Sequence, residues 1–243
     1  MQGGKPLPVT PAKMRPTSPV REKNKGRRPR GGGNRKENVM NAISQLREEH
    51  QAVITALAIL AAMADRVQSS GHLHVVDTEK LLEFFRVFVD RCHHRKEEGL
   101  LFPLLEEVGI GRTGGPIGVM LAEHSRGRDS VAALGMAVAA YGAGDLAAPE
   151  EFALQARLYE ELLRRHIGKE NGVLFVLAER HLDDAALARL EARMEELERE
   201  EIGAGRHQAM HRLLRDLACR YGVESDRLHC AGHHGAALCQ HCG

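Results

Sequence analysis

The sequence predicts an all-α protein: an up-down-up-down four-helix bundle, two additional C-terminal helices and a disordered basic N-terminal tail. Three observations carry that expectation. Aromatic residues make up 4% of the 243 residues with no Trp, and Ala, Leu, Glu and Arg dominate. That is a helix-former composition, poor in the β-branched and aromatic clusters of strands. Four long stretches place apolar residues at steps of three and four, the period of one helix face. The links between them are short, so antiparallel neighbours are the economical packing. At 43% hydrophobic residues the chain has ample material for one core.

Residues 1–38 are rich in Pro, Gly and Lys/Arg and lack any apolar period, so they read as a disordered tail. Up to residue 36 they hold eleven Lys or Arg against Glu22 alone. The whole chain has a formal net charge of +1, so the remainder is about nine charges negative. Three readings of the tail compete. It is a linker or leader (Met40 would make a natural start), a nucleic-acid contact, or a transit peptide. Its prolines argue against the amphipathic helix of a transit peptide, and no aromatic residue is interleaved to stack on bases.

The bundle is expected over 39–182. Its first helix runs from about Asn41 to Gln68, with Ile43, Leu46, His50, Val53, Leu57, Leu60, Ala61 and Ala64 on one stripe before Gly71 breaks it. Asp77 is the expected N-cap of the second helix, which extends to about Val108. Leu82, Phe85, Val89, His93, Glu97, Leu100 and Leu104 face inward there, whereas His94 shares a solvated face with Asp90 and Glu83. Pro116 opens the third helix, where a missing N–H costs nothing. Ile117, Met120, His124, Val131, Leu134 and Val138 line its inner face to about Tyr141. The fourth helix starts near Pro149 and reaches about His181, with Phe152, Tyr159, Leu163, His166, Glu170, Val173 and Leu177 inward.

Residues 183–222 are expected to add two helices. One spans Ala185 to Ile202 with Leu187, Leu190, Met194 and Leu197 as its stripe; the other spans Arg206 to Tyr221, closed by Gly222. They pack on the bundle or face a partner. Residues 223–243 form a Cys/His-rich tail.

The bundle carries an internal duplication. The segments His93–Phe102 and His166–Phe175 align as H-x-x-K-E-x-G-x-L-F, which pairs His93 with Glu97 and His166 with Glu170 rather than His94 with Glu98. Residues four apart stack on one helix face, so each pair can grip one object. Glu49-His50 precedes His93 by 43 residues, and Glu123-His124 precedes His166 by 42. His50, His93, Glu97, His124, His166 and Glu170 therefore project inward at one depth. Burying six such groups uncompensated is costly. A metal removes the conflict by turning carboxylates and neutral imidazoles into ligands. Four imidazoles and two carboxylates exceed a closed zinc site and suit two ions with both glutamates bridging. Mixed N/O ligation with vacancies favours non-haem iron, with manganese or zinc as alternatives.

This array, with the segment HHRKEEGLLFP, resembles the hemerythrin-like (HHE cation-binding) family over roughly residues 40–182. The resemblance implies a four-helix bundle with a carboxylate-bridged di-iron site, His50, His93, His124 and His166 as terminal ligands, and Glu97 and Glu170 as bridges. O2, NO or peroxide would be the small ligand, and the role sensing, processing or iron handling. Reversible oxygen carriers of the family have a second third-helix histidine one turn on, where this chain has Arg128. They also use an aspartate five residues beyond the last histidine, where this chain has Glu170 at four. The set is closer to repair and sensor-like members.

His181, about 16 Å from the metal layer at ~1.5 Å per residue, is expected to be a helix-end residue. Cys92 reads as a small buried hydrophobe, Tyr159 as core, and His207 and His211 as surface residues. In the last tail Cys230, His233, Cys239 and Cys242 have chelating spacing; they form a zinc site or a disordered metal-scavenging end. The alternative function is a metal-stabilised binding module contacting nucleic acid or a protein through its two tails. No run approaches the ~18 apolar residues of a membrane span, so no membrane partner is expected. Five cysteines, an odd number, argue for reduced thiols and a cytoplasmic location.

Overall fold

The computed structural model describes residues 41–201, 203 and 205–224. The basic tail and the Cys230, His233, Cys239 and Cys242 cluster lie outside the described residues. Six helices make up the described chain: α1 (Ala42–Ser70), α2 (Val75–Phe84, continuing to Glu107), α3 (Pro116–Gly142), α4 (Ala148–Lys169, continuing to His181), α5 (Asp184–Glu201) and α6 (Arg206–Tyr221). Local chemistry sets their ends. The Asn41 side chain accepts from Ser44 N at 2.9 Å, satisfying one of the four orphan donors of α1. Gly71 closes that helix at φ 66°, a left-handed conformation that only glycine adopts cheaply.

Helices α1–α4 pack in a ring, α1 against α2 and α4, and α3 against α2 and α4. Two separate apolar clusters fill the ring. Ala42, Ile43 and Leu46 of α1 share one cluster with Leu101 and Leu105 of α2, Ile117 and Met120 of α3, and Leu174 and Ala178 of α4. Val53, Leu57, Leu82, Phe85, Val131, Leu134, Phe152 and Leu163 belong to the other. Between them lies a buried polar layer. Each of the four helices passes from one cluster to the other through that layer.

Helices α2 and α4 depart from the expected regular α-helix, and the departure matters. α2 contains π-helical segments at Phe85–His94 and Glu97–Leu101, and α4 one at Glu170–Leu174. A π-turn holds more residues than 3.6, so the inward face advances around the sequence. Val173, expected inside, is consequently 49% exposed, while Leu174, Phe175 and Ala178 are buried. In α2, Leu101, Phe102 and Leu105 are fully buried and Leu104 only partly. His94 is the largest error of the periodic reading: it is 3% exposed rather than solvated. The two shorter wide turns begin at Glu97 and Glu170, the glutamates of the duplicated motif.

Asp77 is not the cap of α2. His74 takes that place, and the buried Asp77 carboxylate accepts from Arg220 Nη1 at 2.5 Å and from the Tyr221 hydroxyl at 3.3 Å. This contact ties the end of α6 to the start of α2, and both C-terminal helices pack on the bundle rather than standing free. α1 has a mean hydropathy of 1.4 over its most apolar stretch, a value long and apolar enough for a membrane span and higher than the expectation above allowed. Half of that stretch is buried within the fold.

Candidate metal centre

The polar layer collects all six residues expected from the sequence: His50, His93, Glu97, His124, His166 and Glu170, each at most 2% exposed. Their donor atoms converge in two sets, His50–His93–Glu97–Glu170 and Glu97–His124–His166–Glu170, which share both carboxylates. His93 Nε2 lies 3.0 Å from His50 Nε2, and His124 Nε2 lies 3.1 Å from His166 Nε2. Glu170 spans the sets, with Oε2 3.1 Å from His50 Nε2 and Oε1 3.1 Å from His166 Nε2. Glu97 spans them too, at 3.7 Å from His93 Nε2 and 3.5 Å from His124 Nε2.

The other ring nitrogens fix which atom of each histidine points inward. His93 Nδ1 donates to Glu49 Oε2 at 2.8 Å, and His124 Nδ1 to Glu98 Oε1 at 2.7 Å. His166 Nδ1 donates to Glu123 Oε2 at 3.2 Å, and His50 Nδ1 to Asn171 Oδ1 at 3.1 Å. A carboxylate only accepts, so the proton sits on Nδ1 and the Nε2 lone pairs face the centre. Paired Nε2 atoms near 3 Å then repel unless a cation lies between them. None of the four oxygens of Glu97 and Glu170 has a hydrogen-bond partner among the described residues. Two imidazole nitrogens held at about 2.1 Å from one ion at roughly a right angle stand about 3.0 Å apart. The donor set fits a pair of cations bridged by carboxylates.

These outer partners are residues that sequence reasoning passed over, and the duplication was their signal. Glu49 and Glu123 precede His50 and His124; Glu98 and Asn171 follow Glu97 and Glu170. The lysines of the motif repeat the pattern. Lys96 Nζ contacts Glu49 Oε1 at 2.5 Å and Glu198 Oε2 of α5 at 2.8 Å, while Lys169 pairs with Glu123. An arginine backs each half. Arg128 Nη2 reaches Glu98 at 2.6 Å and its Nε reaches Asp90 at 2.7 Å; Arg47 Nη1 reaches the Asn171 carbonyl at 3.0 Å. Arg128, read only as a missing ligand, orients the partner of His124. Such outer contacts hold ligand rings in place and raise their basicity.

The remaining expectations sort as follows. Cys92 is fully buried, and burial pushes its thiol up to about 12. Tyr159 is core, edge-on to Phe85 at 5.0 Å. His181 is the exposed last residue of α4. His207 and His211 are partly buried rather than plain surface groups: they stack on each other at 4.8 Å and flank Phe88.

In the metal-free protein, protons stand in for the cation. Burial, reinforced by the Glu170 charge, pushes the Glu97 carboxyl well above its usual value. Burial opposes ionisation of Glu170 as well, but the imidazoles of His166, His124 and His50 hold it well below. Burial works against a charge on His124, yet the nearby Glu170 carboxylate and its bond to Glu98 raise its pKa. Burial pushes His93 down to about 4 against the pull of Glu49, and pushes His94 well below the usual imidazole value. Loading a cation therefore competes with protonation of Glu97 and His124, both of which hold a proton to higher pH than usual. Binding of Mn2+ is expected to release protons and to weaken as pH falls. Calorimetry in buffers of different ionisation enthalpy measures it; binding with no proton release and no pH dependence would contradict the assignment.

Fold and site together define a helical cation-binding protein. The hemerythrin HHE cation binding domain matches residues 41–178, more than half of the chain, and the protein belongs to that family. No curated protein and no solved structure matches the chain.

Proposed function

We propose that this protein is a non-haem di-iron protein of hemerythrin-like type that senses or processes O2, NO or peroxide, or handles iron, on an up-down-up-down four-helix frame. The observation that carries the reading is the layer of four inward Nε2 atoms and four carboxylate oxygens without hydrogen-bond partners among the described residues. The alternating passage of the helices between two apolar clusters supports the frame. His50 and His93 would hold one ion, His124 and His166 the other, and Glu97 and Glu170 both. Iron at these donors supplies redox chemistry and vacant coordination positions.

The chain's own residues do the rest. Glu49, Glu98, Glu123 and Asn171 orient the four rings, and the apolar clusters keep water from the layer. A pocket of about 140 Å³, with Phe85, Val89 and Tyr159 on its walls and Arg86, Asp90 and Arg128 also lining it, adjoins His94 at the edge of the layer. It holds a diatomic molecule or peroxide with room to spare, since a water takes about 30 Å³ of liquid. A cytoplasmic location belongs to the same proposal, supported by the buried Cys92 thiol.

Iron analysis tests the reading. Protein expressed under reducing, iron-replete conditions is expected to carry about two iron ions per chain, lost in a Glu97→Ala/Glu170→Ala double variant. Less than about half an iron per chain would sink it. Exposure of the reduced, loaded protein to O2, H2O2 and NO, followed by absorption spectroscopy, then separates the candidate ligands.

A further inference from the structure

The pocket beside His94 is larger than O2, NO or peroxide needs. Its volume of about 140 Å³ is several times the ~30 Å³ share of one water and close to the ~150 Å³ of an apolar cavity that takes benzene. Two of its walls are the rings of Phe85 and Tyr159, set nearly perpendicular with centroids 5.0 Å apart. Val89 and Val131 extend this apolar lining. Two of its charged residues, Asp90 and Arg128, are paired with each other.

Two polar groups in the lining are buried without partners. Tyr159 is 2% exposed, and its hydroxyl makes no hydrogen bond among the described residues. His94 is 3% exposed, and its Nδ1 likewise has no partner there. The nearest carboxylate oxygen, Asp90 Oδ1, stands 3.5 Å off and already accepts from Arg128 Nε at 2.7 Å. A buried tyrosine hydroxyl ordinarily finds a partner, and an unpaired polar group costs free energy that packing alone does not return. The helix itself does not ask for an imidazole at position 94. In the other half of the duplication Ile167 follows His166, and it is an ordinary apolar residue, 5% exposed.

We propose that this pocket binds a small aromatic alcohol, a single ring of phenol size, with its hydroxyl paired to Tyr159 and His94. A hydroxyl both donates and accepts, so it suits a tyrosine O–H and an imidazole nitrogen in either tautomer. Phe85 and Tyr159 offer the ring the offset or edge-on contacts that aromatic pairs favour. An anion suits the site less, because Arg128 is already engaged by Asp90 and Glu98 and the Asp90 carboxylate repels it. His94 also stacks on His124 with centroids 3.8 Å apart, so the pocket sets an organic molecule beside the metal layer. Its binding does not depend on which ion the layer holds.

Equilibrium dialysis and ligand-observed NMR test this on the full-length protein, iron-loaded and metal-free, with phenol and toluene as probes. The two molecules match in shape and differ by the hydroxyl. Phenol is expected to bind with a Kd below about 1 mM, at least about tenfold more tightly than toluene. Tyr159→Phe removes the hydroxyl and keeps the ring; it should remove most of that preference while leaving toluene binding unchanged. Val131→Phe fills the pocket and should abolish binding of both. Circular dichroism checks its fold, and Tyr159→Phe carries the expectation alone if it does not fold. Phenol binding no tighter than that of toluene, a preference intact in Tyr159→Phe, or full phenol binding in folded Val131→Phe would overturn the proposal. So would an absence of binding by either probe up to about 10 mM, which leaves the pocket to water. The iron content of each sample reports separately on the di-iron reading, so the two can fail independently.

Discussion

Replacing Lys96 with methionine is expected to destabilise the metal-free protein by roughly 3–5 kcal/mol, the cost of breaking a buried ion pair by removing one partner. Lys96 is fully buried, and its ammonium lies between Glu49 and Glu198. Burial works against its charge, but Glu49 and its neighbours hold its pKa above the usual lysine value. Burial likewise opposes ionisation of Glu49, yet His93 and Lys96 hold it at about 2, below the ordinary 4.5. The stability from this carboxylate is therefore present above about pH 4.5 and lost as pH falls toward 2.

Without the lysine, the buried Glu49 keeps His93 and a 3.4 Å contact from Gln45 Nε2 but loses its cationic partner. The repeat supplies a matched control. Lys169 occupies the equivalent place, but its side chain is 44% exposed, so Lys169→Met should cost no more than about 1 kcal/mol. Urea unfolding of the two variants measures the contrast. Equal losses would show that burial by α5 does not distinguish the pairs. Lys96 also joins the metal layer to α5, so the same variant should loosen that helix, read as faster amide exchange along Asp184–Glu201.

Glu97→Gln should separate metal binding from folding. The substitution mimics the protonated carboxyl that burial already favours at this position. Metal-free stability is expected to stay within about 1 kcal/mol of wild type. The metal-linked gain should vanish; in the wild type it amounts to about 4 kcal/mol at a thousandfold excess of free ion over Kd. Glu170→Gln should behave differently, because Glu170 is ionised among three imidazoles. Removing that charge should destabilise the metal-free protein by about 1–3 kcal/mol as well as abolish binding. Thermal unfolding with and without Mn2+ reads both effects. A wild-type metal shift in Glu97→Gln would remove Glu97 from the ligand set.

Much of this site was legible in the chain. The six inward residues needed only helical spacing and the comparison of two repeats, because identical motifs in both halves select one register from neighbours such as His94 and Glu98. The outer shell was within reach by the same comparison: Glu49 and Glu123, Lys96 and Lys169, Glu98 and Asn171 occupy matching places. Their roles were not legible, because a charged residue beside a ligand is solvated as often as it is bonded, and only packing tells which.

His94 marks where periodicity stops working. A strict 3.6-residue count puts it with Asp90 and Glu83, whereas the wide turns of α2 carry it inside. The same advance of phase moved the inner face of α4 from Val173 to Leu174. Asp77 shows a second kind of blindness, since its partners Arg220 and Tyr221 lie some 140 residues away, 143 and 144 positions on.

The sequence by itself determined the helices, their order and the duplicated His/Glu pattern, because each depends on residues within one or two turns of each other. Only the tertiary structure decided which nitrogen of each histidine faces the centre, that Lys96 is sealed in by α5, and that a further imidazole stands beside His124. Those outcomes depend on contacts between distant segments and on local helix winding, which no repeating pattern encodes.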